Sequence, residues 1–148
     1  MLGLWAALLA APGAWAASCS VTNSGISFGA YDPLSGQPRD TNATIQNTCQ
    51  GSPGDYVSYA ISVAEVSGNA SFTLSNGSFR LQYSLYLDVG RTMIWGNGLF
   101  GTYTIQDSFV INSAPVSKTY PVYGRIFGGQ SSATPGAYND SLVITVSY

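Results

Sequence analysis

The sequence predicts an all-β chain, a sandwich of two antiparallel sheets stapled by one disulfide. Three observations carry this expectation. Apolar residues recur at every second position through most of the chain, turn-forming residues separate these runs at short intervals, and helical spacing is absent.

The chain opens with an apolar run from Leu2 to Ala11, a Pro12-Gly13 breaker and Ala14-Trp15-Ala16, which fits the small-x-small site of a signal peptidase. Residues 1–16 are therefore expected to be a signal peptide, and residues 17–148 a single exported domain. The apolar run is about ten residues, half of the roughly 20 that a spanning helix needs, so it reads as a cleaved segment and not as an anchor. It lacks the usual positive start, since no Lys or Arg precedes Arg39.

The first strand is expected at Cys19 and the second from Asn42 to Gln50, where Ala43, Ile45, Asn47 and Cys49 share one face. Cys19 and Cys49 are the chain's two cysteines, and in an exported protein a disulfide between them is the economical reading. Closing a loop of about 30 residues would stabilise the fold by roughly 3.5 kcal/mol on the chain-entropy view. Metal binding is the rival use of a cysteine pair, but the chain has no histidine and the two thiols have no close-spaced partners, so no metal is expected.

A third strand runs from Tyr56 to Val66 with Val57, Tyr59, Ile61 and Val63 on one face. Next, Phe79, Leu81, Tyr83, Leu85 and Leu87 alternate with Arg80, Gln82, Ser84, Tyr86 and Asp88, the pattern of a half-buried antiparallel strand. Two more strands follow, near Lys118 to Phe127 and from Tyr138 to Tyr148. In the last, Leu142, Ile144, Val146 and Tyr148 line one face. The connections are rich in turn chemistry, among them Asp32-Pro33-Leu34-Ser35-Gly36, Gly51-Ser52-Pro53-Gly54, Asn76-Gly77, Gly96-Asn97-Gly98 and Thr134-Pro135-Gly136.

Composition narrows the function. Charged residues are 8% of the chain, against about 25% in ordinary soluble proteins. The formal charge is −2 with Lys118 as the single lysine, which offers no basic stripe for nucleic acid. Without histidine, and with its cysteines paired, the chain could build a catalytic site only from Asp32, Asp40, Asp55, Glu65, Asp88, Asp107 and Asp140. Most of these stand in turns, where carboxylates ordinarily accept backbone N–H bonds, so no enzyme and no cofactor are expected.

The residues also carry a resemblance. Cys19-Ser20-Val21, Phe28-Gly29-Ala30-Tyr31-Asp32-Pro33-Leu34-Ser35-Gly36, Cys49, Tyr83-Ser84-Leu85-Tyr86, Trp95-Gly96, Val122-Tyr123-Gly124-Arg125-Ile126 and Pro135-Gly136-Ala137-Tyr138-Asn139-Asp140 follow one another as in the spore coat protein U domain, shared with pilins of archaic chaperone-usher pili. The resemblance covers Cys19 to Tyr148. It implies an incomplete immunoglobulin-like β-sandwich that lacks its final strand and is completed by a donor strand from another protein. A periplasmic chaperone would lend that strand first, and another pilin subunit would replace it after passage through an outer-membrane usher. The groove would lie beside the last strand, bordered by Leu142, Ile144, Val146 and Tyr148. The implied localisation is the periplasm and then the cell surface, as part of a fibre or a spore coat-like layer.

One departure sets an expectation about position. Cleavage after Ala16 leaves Ala17-Ser18 before Cys19, a reach under about 7 Å, whereas subunits that donate a strand carry an extension of about a dozen residues. Such a chain would accept a strand without giving one, as at a fibre tip. Ile94, Trp95, Leu99 and Phe100, around the Gly96-Asn97-Gly98 turn, are the candidate surface-binding loop for an abiotic or glycan surface, although for Trp95 the resemblance, whose pattern includes Trp95-Gly96, favours a core role in a hairpin. The rival functions are a stand-alone carbohydrate-binding adhesin and a hydrolase with an acidic site.

Overall fold

The computed structural model describes residues 16–65 and 72–148. The expected leader, apart from Ala16, and Val66 of the expected third strand lie outside the described residues. Eight strands form: β1 (Ser18–Asn23), β2 (Arg39–Gln50), β3 (Tyr56–Glu65), β4 (Phe72–Asn76), β5 (Phe79–Tyr86), β6 (Ile105–Val110), β7 (Val116–Ile126) and β8 (Leu142–Ser147). No helix occurs among the described residues. The strands make a five-stranded sheet in the order β1-β2-β7-β5-β4 and a three-stranded sheet in the order β6-β3-β8. Every pair is antiparallel.

The alternation in the sequence is the alternation of burial. On β3, Val57, Tyr59, Ile61 and Val63 are buried, and on β2 Ile45, Asn47 and Cys49 are. These side chains meet Leu81, Tyr83 and Leu85 of β5 and Val122 and Ile126 of β7 in one core between the sheets. Burying side chains of this size is worth about 1.5–3 kcal/mol each, which is what holds two otherwise separate sheets face to face.

Cys19 stands directly opposite Cys49 in the β1–β2 ladder. Their sulfurs are bonded at 2.04 Å. The disulfide therefore fixes β1, an edge strand, to its neighbour, as the sequence led us to expect. The β4–β5 hairpin closes through Gly77-Ser78, with Gly77 at φ +57°, a left-handed conformation that glycine adopts without steric cost.

Pro121 lies in β7, opposite Thr44 of β2, where a missing N–H would damage a central strand. The structure resolves this conflict by length. The β5 ladder on the other side of β7 reaches only Tyr123, so at Pro121 the strand has a neighbour on one side alone.

Between β5 and β6 the chain makes an excursion that bonds back to β5 at Leu85 and to β3 at Val63. Asp88 organises its start, accepting bonds from the backbone N–H groups of Thr92 and Met93 at 2.9 and 2.7 Å. Trp95 pins it down. Its indole Nε1 donates to the Ile61 carbonyl at 3.1 Å, and the neighbouring Gly96 carbonyl accepts from Val63 N–H, also at 3.1 Å.

Candidate functional site

β8 forms one edge of the three-stranded sheet, and among the described residues it pairs with β3 alone. Its apolar face is only half covered. Leu142, Ile144 and Val146 pack against the core yet stay partly exposed, in contrast to Val63 and Ile61, which face them across the ladder and are fully buried. Val143, on the opposite face, is 49% exposed. The half-covered face belongs to a cleft.

That cleft is a cavity of about 430 Å³ between the sheets. Leu142 and Ile144 form one bank, and the segment Gly25–Gly29, which follows β1, forms the other. The floor is core, including Ile45, Val63, Leu85, Trp95 and Val122. β1 is the edge of its own sheet and approaches β8. Two unpaired strand edges thus flank one apolar hollow, and the disulfide holds the β1 side in place.

The remaining wall is Ala137–Asp140, ahead of β8. Ser75 and Asn139 exchange two backbone bonds there, at 2.7 and 3.0 Å, tying this wall to β4. Asp140 accepts the Tyr83 hydroxyl at 2.8 Å. Burial, reinforced by the Asp140 carboxylate, raises the Tyr83 phenol well above its ordinary range, so it is a constant donor. The bond joins β5 of the five-stranded sheet to the segment just ahead of β8.

Of the four residues expected to border a groove, Leu142 and Ile144 line the cavity and Val146 continues their face. Tyr148 does not. It lies beyond the end of β8, 62% exposed, beside a shallow outer depression with Ser58, Gln106 and Ser108. The candidate surface-binding loop also divides. Trp95 is 1% exposed, so its inclusion among surface-binding residues is corrected: the ring fills the core and its N–H is spent on Ile61. Ile94 is half-buried and bridges to Tyr86. Leu99 and Phe100 stand out at 58% and 99% exposure on a tight turn closed by Thr102, whose Oγ1 donates to the Leu99 carbonyl at 2.7 Å.

The Spore Coat Protein U domain family matches residues 5–145 of the chain. This chain belongs to that family. Among solved structures, the fold is similar to a chain in the CsuC-CsuE chaperone–tip adhesion subunit pre-assembly complex from the archaic chaperone-usher Csu pili of Acinetobacter baumannii, with a TM-score of 0.53 at 16% identity. The similarity covers 89% of this chain and 40% of the other, so this chain spans less than half the length of its structural neighbour. No curated protein matches it.

In this Spore Coat Protein U domain the carboxylates with resolved roles are structural. Asp40 takes a bidentate bond from Arg125 at 2.7 and 2.8 Å, which holds its pKa below the usual range. Asp107 accepts the Tyr120 hydroxyl at 2.7 Å and is lowered chiefly by that bond. Among the described residues no group of three or more potential ligands could hold a metal ion. Sequence reading missed the bank formed by Ile26 and Phe28. Their signal was present as an apolar pair two residues apart, bracketed by Gly25 and Gly29, but too short to stand out as a strand.

Proposed function

We propose that this chain is an exported structural and adhesive subunit of a chaperone-usher surface fibre, and that the cleft beside β8 is its assembly site. The observation that carries this reading is the apolar cavity flanked by the unpaired edges of β8 and β1. An extended strand laid there would satisfy the open backbone edge of β8 and cover Leu142, Ile144 and Val146 with its own alternate side chains. Left empty, the same edge is an aggregation hazard, which is a physical reason for a chaperone to occupy it in the periplasm before a neighbouring subunit does.

Family membership and the likeness to a chain of a chaperone–subunit complex support the reading. Passage through an usher and display at the cell surface follow from it. The exposed Leu99-Phe100 turn supports an adhesive contribution, since a side chain as exposed as Phe100 contributes nothing to its own core. The chain works as a building block and not as a catalyst, its acidic side chains being engaged in holding strands and turns.

Co-expression in the periplasm with a chaperone of an archaic chaperone-usher system from the same organism tests the proposal. The expected product is a stoichiometric complex that resists gel filtration. Recovery of the chain as a folded, soluble monomer with the chaperone unbound would overturn it.

A further inference from the structure

We infer that the strap Ser24–Gly29 is a latch on the cleft, closed against β7 when the cleft is empty and swung outward when a partner strand seats beside β8. The inference deepens the assembly reading above and rests on it.

The walls of the cleft differ in how they are held. β8 is laddered to β3, the Ala137–Asp140 wall is bonded to β4 through Asn139, and β1 is stapled by the disulfide. The β1 ladder ends at Asn23, opposite Ile45. Beyond Ser24, whose N–H donates to the Thr44 carbonyl, the strap is held by side chains: Thr41 Oγ1 donates to the Ser27 carbonyl at 2.7 Å, and Arg39 Nε to the Phe28 carbonyl at 2.8 Å. Side-chain tethers can release without breaking a sheet. Gly25 and Gly29, near the two ends of the strap, stand at φ +73° and +68°, so these are the positions best able to turn.

The closed strap has a fitted seat. A Cβ at Gly124 of β7 would come within 2.7 Å of both Ile26 Cδ1 and the Phe28 ring, so the missing side chain is the space they occupy. Phe28 completes the seat with an edge-on contact to Tyr83 at 5.5 Å between centroids. Because Ile26 and Phe28 also line the cavity opposite Leu142 and Ile144, the strap's position sets the width of the cleft. Neighbouring strands in a sheet lie about 4.8 Å apart, so a strand added beside β8 needs the facing bank to stand a further strand's width away. Of the banks, the strap is the one free to yield. A binding-competent state that is only partly populated weakens apparent affinity by that fraction, so loosening the latch should strengthen binding.

The test compares the wild-type chain with Thr41→Val, which removes one tether, and Gly124→Ala, which fills the seat. Hydrogen exchange and binding of a synthetic twelve-residue peptide alternating Val and Thr are both measured. Loss of one hydrogen bond should speed strap exchange and peptide association about two- to tenfold in Thr41→Val, with Gly124→Ala at least as fast and β3 unchanged. Should Gly124→Ala fail to fold, Thr41→Val, a strand-compatible change, carries the test alone. Peptide binding at equal or slower rates in the variants overturns the latch and leaves the assembly reading standing. Failure of all three chains to bind either peptide or chaperone overturns both.

Discussion

Cys49 and Trp95 are buried to 0% and 1% exposure, and each ties together parts of the chain that alternation alone would leave loose. The Cys19–Cys49 bond closes a loop with a sequence separation of 30. Replacing both cysteines by Ala should lower stability by roughly 3.5 kcal/mol, a fall in Tm of roughly 10 °C or more by calorimetry. Trp95→Ala should cost about 3–5 kcal/mol through the cavity it leaves, together with the orphaned Ile61 carbonyl. Acid titration addresses the carboxylates. Asp40, Asp88 and Asp107 are all held below the ordinary value, by Arg125, by the Met93 N–H and by the Tyr120 hydroxyl respectively. Groups with lowered native pKa stabilise fully above their unfolded value of about 3.9 and lose that contribution as pH falls through the lower native one. Tm should therefore hold level down to about pH 5 and drop below about pH 4. Tyr83 and Tyr120 shift the other way, chiefly through burial, so their contribution is full below about pH 10 and declines as pH rises above it.

At the scale of the element, β8 makes the sharpest forecast. Ile144→Asp places a carboxylate where the side chains of the proposed partner strand would pack, at a cost of several kcal/mol, and should abolish chaperone binding. Val143→Asp, one residue away on the open face, should leave the complex intact. Pull-down of the two variants, each first checked for folding by circular dichroism, separates the faces; equal binding by both would remove β8 from the interface. The same element illustrates what the sequence made legible. Strands with three or more apolar residues in step, such as β2, β3, β5 and β8, were readable because burial on one side imposes period two. β4 offered only Phe72 and Leu74 in five residues. β6 was hidden by Asp107, which shares a face with Ile105 and Phe109 because Tyr120 reaches it across the sandwich. Tyr148 continued the β8 pattern but falls past the end of the strand, and Trp95, grouped with a surface loop although its Trp95-Gly96 pattern favoured the core, is held inside by its bond to Ile61.

At the scale of the whole molecule, the edges of the two sheets are not alike. β4 and β6 are the other edges of the two sheets, β4 reaching the cavity through Leu74, while β1 and β8 approach each other beside it. The chain's low charge leaves little scope for electrostatic steering, so the proposed partner strand would be chosen mainly by the shape of the cleft and by strand pairing. Hydrogen exchange of the full chain, free and bound to the proposed periplasmic chaperone, tests this most directly. Strong new protection is expected along β8, Leu142–Ser147, with β4 and β6 unchanged; protection that appears at β4 or β6 while β8 exchanges as in the free chain would contradict an assembly site beside β8.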